Sequence, residues 1–399
     1  MERGERGLKW GYTATALVSS LSSATLGPYL SLWLKAIGLS FSEIGLVQSV
    51  SELTQLLTDF PTGGFADRYG RVKTYSAGSI LFGLGLTTIA LSDGLKPALL
   101  GAGLSGLGSA LISGTMVPWL YDALGDRKAV KEVLGRIKEL SGPVRFIGGF
   151  LSGYLASFAP NVPVLTAGLL SITSAVLAVL LLPDNRGKVE LGYLGILRNG
   201  LSEVLRNRAL HLLLASSFLL SFTARAFFTF WMILLEKRGL PTKYIGPLFA
   251  LMLLSTSVGA VASRRLEATP SVLGALTALL GAEILLLGIS SNLWAGIALL
   301  FAVEVTLGAR GPLMSVLRND FIPSGTRSTV NSTLSTTASA FMAIANFVVG
   351  SLAESFTLGW AYVLAGLLGL LSAFPILGLT FLKAPDEGEN IHEKQRRMI

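Results

Sequence analysis

The sequence predicts an all-α membrane protein with twelve transmembrane helices arranged as two pseudo-symmetric six-helix bundles. Three observations predict this class: the composition, a series of long apolar runs, and an internal repeat. The 399 residues are 51% hydrophobic and 14% charged, and the mean hydropathy is +0.62. An average soluble domain carries about 25% charged residues. The composition therefore argues against a soluble globular enzyme and excludes a disordered chain, which needs low hydrophobicity.

Apolar runs separated by short polar links are each long enough to cross a hydrocarbon core about 30 Å thick. In lipid, only helices or closed barrels satisfy the backbone hydrogen bonds, and continuous rather than alternating runs favour helices. The twelve runs cover 10–34, 44–66, 74–92, 97–121, 140–158, 163–182, 209–235, 244–263, 270–290, 293–314, 330–354 and 358–382.

The longest interior link divides six runs from six. The expected organisation is an N-terminal six-helix bundle over 1–183, a cytoplasmic linker over 184–208, a C-terminal six-helix bundle over 209–383 and a cytoplasmic tail over 384–399. A repeat supports this division, because GLSFSEIG from Gly38 resembles GLPTKYIG from Gly239. Each octet lies between the first and second runs of its half, and such repeats are typical of transporters that bind solutes between the halves.

The distribution of Lys and Arg predicts the topology. With the N-terminus placed inside, the inner links hold 24 of these residues and the outer links hold five. This asymmetry follows the positive-inside rule. Both termini are expected in the cytoplasm, in a multi-pass protein of the plasma membrane. The net charge of +8 then faces inner-leaflet lipid, and no nucleic-acid partner is expected.

The rare reactive residues limit the chemistry. The chain has no Cys and two His, so disulfides, thiolate nucleophiles and Cys-ligated metals are excluded. No GxxxxGK[ST] segment is present, which excludes ATP-driven transport by this chain alone. An enzyme is not expected, and neither a cofactor nor a metal site is predicted.

One polar loop carries a family motif. Residues 63–73 read GGFADRYGRVK, and this segment resembles the signature loop of the major facilitator superfamily of secondary transporters. The likeness extends over essentially the whole chain and is to the drug/proton antiporter-like branch. Val72 departs from the signature, which has a basic residue there. The resemblance implies that Asp67 meets a helix end of the other half and closes a cytoplasmic gate, with Arg68 and Arg71 as its partners.

Further charges are expected at the same gate. The second half has only a partial counterpart of the motif, in which Ser263 replaces the Asp. The gate should therefore be asymmetric. Arg136 and Arg327 resemble symmetry-related loop arginines of the family, and Asp122 and Arg145 are expected to form a gate pair. The Gly-Pro and Gly-Gly pairs at 142–143 and 148–149 resemble the family's antiporter signature, but with four intervening residues instead of two.

Polar residues recur along the second run at spacings of four, three and four, at Gln48, Glu52, Gln55 and Asp59. This pattern places them on one stripe of a helix. Glu52 lies about 12 Å from the outer end at 1.5 Å per residue. An ionisable residue at such depth is a candidate functional group. The stripe therefore predicts a proton or substrate path centred on Glu52 and Asp59. The alternative is a polar seam that only joins helices.

Two charges fall near the middle of runs in the second half. Arg225 of the seventh run and Glu304 of the tenth are expected to form a buried pair. Arg225 would hold an anionic group, or would be released when Glu304 takes a proton. The alternative is a structural ion pair. The six aromatic residues at 218–231 would suit a cavity for an amphipathic or aromatic solute. The alternative is that they simply pack against other helices or face lipid.

These observations together predict a secondary active transporter that works by alternating access. The expected activity is proton-coupled efflux of small amphipathic molecules, by a monomer whose partners are the small-molecule substrate, protons and membrane lipid. One alternative is an uptake symporter or facilitator for a polar or anionic metabolite. Another is a receptor built on a transporter scaffold, which would need a large additional domain.

Overall fold

The computed structural model describes residues 2–62, 65–186, 202, 204–322 and 327–382. The described chain is helical, and the predicted twelve-helix, two-bundle fold is confirmed. The first half comprises α1 (Glu2–Leu26, continued as Tyr29–Ala36), α2 (Phe41–Thr62), α3 (Arg71–Ala90), α4 (Leu95–Ile112, continued as Met116–Leu124), α5 (Arg127–Ala156) and α6 (Val162–Leu181). The second half comprises α7 (Arg208–Lys237), α8 (Ile245–Ala262), α9 (Pro270–Ile289), α10 (Leu293–Asp320), α11 (Arg327–Ser355) and α12 (Leu358–Leu371, continued as Ala373–Gly378).

Eight of these helices, α4 and α6 to α12, are apolar and long enough to cross a membrane by length and composition alone. The first-half helices α1, α2, α3 and α5 carry more polar residues. Most of the predicted linker and the whole predicted tail lie outside the described residues, so those boundaries stay predictions.

Helix α5 begins well before the apolar run that predicts it. It starts at Arg127, whereas the run starts at 140. The Asp126 side chain caps this helix by accepting hydrogen bonds from the backbone N–H groups of Lys128 and Ala129, at 3.0 and 3.2 Å. These donors lower the pKa of the Asp126 carboxyl. Hydropathy detects only the lipid-facing part of a helix, so a charged extension that a good N-cap stabilises in water is missed.

The two repeated octets adopt the same turn. Gly38 and Gly239 both have positive φ, +88° and +94°, and end the first helix of their halves. In each, the residue after the glycine donates a backbone hydrogen bond to the residue five positions earlier, Leu39 to Leu34 and Leu240 to Leu235. A helix that ends with a left-handed residue favours glycine. This end of the bundle is called the Gly38 end below, and the opposite end is called the Asp67 end.

Apolar packing joins the two halves only in part. One core cluster contains buried residues of both halves, among them Tyr29, Phe41 and Phe230. Nearer the Asp67 end, each half has its own core cluster, one around Trp119 in the first half and one around Leu210 in the second. The described halves thus pack together at the Gly38 end, with separate cores at the Asp67 end.

Glycines allow the close contact at the Gly38 end. A Cβ on Gly45 of α2 would overlap the backbone of Asn346 in α11, and a Cβ on Gly246 of α8 would overlap the backbone of Gly153 in α5. Gly45 and Gly246 are the last residues of the two repeated octets. The same octet position therefore provides the contact with the other half twice, through α2 and α11 and through α5 and α8.

Candidate functional site

Two polar contacts join α2 to α7, and hence one half to the other, near mid-depth. Glu52 accepts a hydrogen bond from a terminal nitrogen of Arg225 in an ion pair. One turn nearer the Gly38 end, the Thr229 hydroxyl donates to Oε1 of Gln48 at 3.1 Å. Glu52 lies eleven residues after Phe41, about 17 Å along the helix axis. That depth is about half of a 30 Å hydrocarbon core.

The Glu52–Arg225 pair is largely shielded, since 22% of the Glu52 side chain and 20% of the Arg225 side chain are exposed. Oε2 of Glu52 and Nε of Arg225 are buried and have no hydrogen-bond partner among the described residues. A buried charge is costly when its partner is lost. Each of these two charges therefore depends on the other, and neutralising Glu52 leaves Arg225 without its counter-charge.

Two further side chains extend this contact. The Thr229 hydroxyl also lies 3.2 Å from Oδ1 of Asn346 in α11, and Nε2 of Gln48 donates to the Ser31 hydroxyl of α1 at 3.0 Å. Sequence reasoning placed Gln48 and Glu52 on one polar stripe but missed Thr229, Asn346 and Ser31. Isolated hydroxyl and amide residues within apolar runs are common, so the sequence offered no signal that selects these three.

The expected contact between Arg225 and Glu304 was wrong. Glu304 instead accepts a hydrogen bond from the Thr256 hydroxyl of α8 at 2.5 Å, while Arg225 pairs with Glu52 in the other half. Depth in the membrane, which the sequence gives, does not specify which face of a helix meets which neighbour. The Arg225 ion pair therefore lies between the halves rather than within the second half.

A cavity of about 170 Å³ lies beside Glu52 within the first half. Its polar lining consists of Gln48, Ser51, Glu52 and Ser105, and the two serine hydroxyls are 3.3 Å apart. A buried water needs two to four polar partners, which this lining supplies. Glu52 thus borders a space suited to water while it contacts Arg225.

Asp59 follows Glu52 by two turns on the same helix and lies nearer the Asp67 end. Its side chain is half-buried, and its Oδ1 is buried without a hydrogen-bond partner in the described part of the chain. The structure places no partner cation against it there. Asp59 therefore stays a predicted proton acceptor rather than a member of the α2–α7 contact.

At the Asp67 end, Arg71 forms ion pairs with two carboxylates, those of Asp67 and Asp122. Its Nε and a terminal nitrogen donate to Oδ1 of Asp67, at 3.2 and 3.1 Å, and its other terminal nitrogen pairs with Asp122. Arg71 is thus the partner of Asp67, as expected. Arg68 is exposed and lies over the Tyr69 ring instead.

The expected pair of Asp122 with Arg145 was wrong. Asp122 pairs with Arg71, and Arg145 is exposed with no ion pair among the described residues. Arg136 is also exposed and borders a cavity between α1 and α5. Arg327 begins α11, and its side chain lies outside the described part of the chain. The structure therefore brings together Asp67, Arg71 and Asp122, and no other predicted gate residue is described in contact with them.

An acidic residue that the sequence did not single out anchors the signature loop. The Asp184 carboxylate accepts the backbone N–H of Val72 at 3.0 Å, at the first turn of α3, and lies 3.8 Å from the Lys73 ammonium. Gly70 has φ +112°, and a Cβ on it would overlap this carboxylate. Gly70 is thus needed both for its backbone conformation and for the approach of Asp184.

Substitution of Asp67 tests the predicted gate. In this conformation Asp67 bonds to its own half, so its predicted contact with the other half belongs to the conformation in which the Asp67 end is closed. We expect Asp67→Asn to lower the population of that conformation about two- to fivefold, since such a carboxylate contributes about 0.3–1 kcal/mol. Spin labels on Lys131→Cys and Glu267→Cys report it, because the chain has no other Cys.

Asp93→Asn is the matched control, since Asp93 is an exposed acid of the same half at the Gly38 end. The control should leave the label distances unchanged. Equal distance distributions for Asp67→Asn and the parent would show that Asp67 acts only within its own half.

The aromatic residues of α7 mostly pack between helices. Phe222, Phe227, Phe230 and Trp231 are each at most 8% exposed. Phe218 packs edge to face on Phe222 and on Phe341 of α11, with ring centroids 5.3 and 5.1 Å apart. The buried members of this set therefore contribute to the core, which agrees with the packing alternative.

The described residues contain no group of three or more His, Asp or Glu side chains placed to hold a metal ion. Glu52 instead pairs with Arg225, and Glu283 and Glu304 accept hydrogen bonds from hydroxyl groups.

Comparison with known proteins identifies the family of the chain. The model of the Major Facilitator Superfamily matches residues 13–282. The chain is 27% identical over 251 residues to YxaM of Bacillus subtilis (strain 168), an uncharacterized MFS-type transporter, covering 60% of this chain and 61% of YxaM. It is 22% identical over 166 residues to the quinolone resistance protein NorA of Staphylococcus aureus (strain MRSA252), covering 42% of each.

Both of these alignments span less than two thirds of the relative's length. The crystal structure of the nucleoside transporter NupG is similar over 94% of this chain and 100% of that chain, with a TM-score of 0.79 at 12% identity. At that identity the likeness concerns the fold alone.

Proposed function

Because the chain belongs to the major facilitator superfamily, we propose that this membrane transporter carries out proton-coupled efflux of small amphipathic molecules by alternating access. The observation that supports coupling is the Glu52–Arg225 ion pair, which joins the two halves at mid-depth. A proton that binds Glu52 acts directly on an attraction between the halves. A residue buried within one half would have no such direct effect.

The proposed cycle starts from the conformation described here. With Glu52 ionised, its attraction to Arg225 adds to the glycine-mediated contacts that close the Gly38 end. Proton uptake by Glu52 removes this attraction and favours opening of that end. A substrate that competes for Glu52 or Arg225 has the same effect. The empty, deprotonated carrier is therefore held in the described conformation, and this limits opening of the Gly38 end until a proton or a substrate binds.

Two observations support efflux. The charge asymmetry of the links supports a cytoplasmic location for the Asp67 end, and with that orientation the described conformation receives solutes from the cell interior. The partial similarity to the quinolone resistance protein NorA is the second. Under this proposal the protein is a monomer of the plasma membrane with both termini in the cytoplasm.

Transport by purified protein in proteoliposomes tests the proposal. A panel of amphipathic cations, anions and neutral solutes is offered with and without an imposed pH gradient. We expect gradient-driven accumulation of at least one amphipathic solute by the parent protein. Glu52→Gln should lose this accumulation and keep solute exchange, because Gln preserves the shape but cannot titrate.

Glu283→Gln is the matched control. Glu283 is a buried acid of α9 whose carboxylate accepts a hydrogen bond from Thr306 within the second half, at 2.9 Å. We expect this variant to retain gradient-driven transport. If Glu52→Gln responds to the gradient as the parent does, the coupling role is wrong, and solute movement in the same direction as the proton would favour symport instead.

A further inference from the structure

Two arginines of α10 have no role in the cycle proposed above. Arg310 and Arg318 both line a cavity of about 300 Å³ between α7, α10 and α11 in the second half. The Nε of Arg310 donates to the Thr277 hydroxyl of α9 at 2.9 Å. The Nε of Arg318 is buried and has no hydrogen-bond partner among the described residues.

Neither arginine forms an ion pair with a described carboxylate. The two buried acids described in the second half already have other partners, Glu304 with Thr256 and Glu283 with Thr306. A cation inside a membrane protein is costly unless a counter-charge or an aqueous cavity compensates it. The described part of the cavity therefore lacks the negative charge that its two arginines would attract.

The remaining lining is amphipathic. Ser217 and Ser221 of α7 and Ser335 of α11 present hydroxyl groups, while Leu220 and Met342 contribute apolar surface. The hydrogen bond to Thr277 uses only Nε of Arg310, so its terminal N–H groups stay available. Guanidinium N–H groups match the two oxygens of a carboxylate in a bidentate arrangement. The volume lies at the lower end of that of small-molecule pockets, about 300–1,000 Å³.

We propose that this cavity is a subsite for the oxyanion group of an amphipathic organic anion, with Arg310 as the anchor and the apolar wall holding the rest of the molecule. This deepens the proposed function, on which it rests, by naming organic carboxylates as a substrate class. Ser221 precedes Arg225 by about one helical turn. An anion bound there lies next to the Glu52–Arg225 pair, where it can compete with Glu52 for Arg225.

Binding of matched ligands to the full-length protein in detergent tests the subsite without any proton gradient. The ligands are 1-naphthoate, which carries a carboxylate, and 1-naphthamide, which has the same ring without the charge. We expect the parent to bind 1-naphthoate at least about tenfold more tightly, since hydrogen bonds to charged groups contribute about 1.5–3 kcal/mol. Isothermal titration and ligand-induced thermal stabilisation both report this preference.

Arg310→Gln should abolish the preference for 1-naphthoate. Arg310→Lys should keep part of this preference, because Lys retains the positive charge but lacks the planar guanidinium that binds a carboxylate in a bidentate arrangement. Arg264→Gln is the control, since Arg264 is an exposed arginine of the same half away from the cavity. It should bind 1-naphthoate as the parent does. The comparison of the two ligands on the parent protein stands even if an Arg310 variant fails to fold.

Equal affinity of the parent for the two ligands would overturn the proposal, as would an unchanged preference in a folded Arg310→Gln. A lipid phosphate presents a similar oxyanion, so phosphatidylglycerol is titrated in parallel. Stabilisation by phosphatidylglycerol through Arg310, with none by 1-naphthoate, would assign the cavity to lipid and overturn the substrate role. Because binding is measured without a gradient, failure of proton coupling in Glu52→Gln leaves this result unaffected.

Discussion

Arg225→Gln is expected to destabilise the protein by about 3 kcal/mol, the low end for breaking a buried ion pair because both side chains are about one-fifth exposed. The substitution leaves the Glu52 carboxylate at mid-depth without its counter-charge. Glu52→Gln has the corresponding effect on the Arg225 guanidinium. Thermal unfolding of the purified variants measures both losses.

The double variant Glu52→Gln with Arg225→Gln should recover part of this loss, since no uncompensated charge remains. A double-mutant cycle isolates the coupling, because residues in contact give non-additive effects. The same cycle on Arg225 and Glu304 should be additive, since Glu304 bonds to Thr256 instead. Additive effects for Glu52 and Arg225 would show that this contact does not form.

Gly45→Ala is expected to open the Gly38 end. The new Cβ would overlap the backbone of Asn346 in α11, and that backbone cannot move without shifting its helix. Overpacking of this kind costs about 1–3 kcal/mol, which changes a population ratio roughly 5- to 150-fold. Spin labels on Asp93→Cys and Ser291→Cys, one in each half at the Gly38 end, should therefore report longer distances.

Gly103→Ala is the control for this experiment. Apart from the adjacent part of α4 itself, no atom lies within 4 Å of a Cβ on Gly103. Its label distances should match those of the parent. Gly246→Ala should act as Gly45→Ala does, because it occupies the same octet position at the contact of α8 with α5. Parent-like distances in both octet variants would mean that these glycines do not control closure.

The helices could be predicted from sequence because lipid requires long apolar segments with internal hydrogen bonds. The pairing of helices could not. The polar stripe on α2 predicted that Glu52 faces protein, but whether its partner lay in α7 or elsewhere depends on how the two halves meet. The Arg225–Glu304 assignment failed for this reason.

The glycine repeat indicated where the two halves touch, which the apolar runs did not. The octets from Gly38 and Gly239 end in glycines that touch the other half, so a sequence repeat corresponds to a repeated interface. The signature loop was less complete as a guide. It indicated Asp67 and Arg71 but gave no reason to add Asp184, whose carboxylate reaches the loop from beyond the end of α6.

The most direct test of the account is the pH dependence of the distance between labels at Asp93→Cys and Ser291→Cys, in the parent and in Glu52→Gln. Lowering the pH protonates Glu52 in the parent and removes its attraction to Arg225, so the parent should shift towards longer distances at the Gly38 end. Glu52→Gln cannot titrate at this position and should show the longer distances at every pH. A Glu52→Gln variant that keeps the pH response of the parent would contradict the claim that this ion pair couples protons to alternating access.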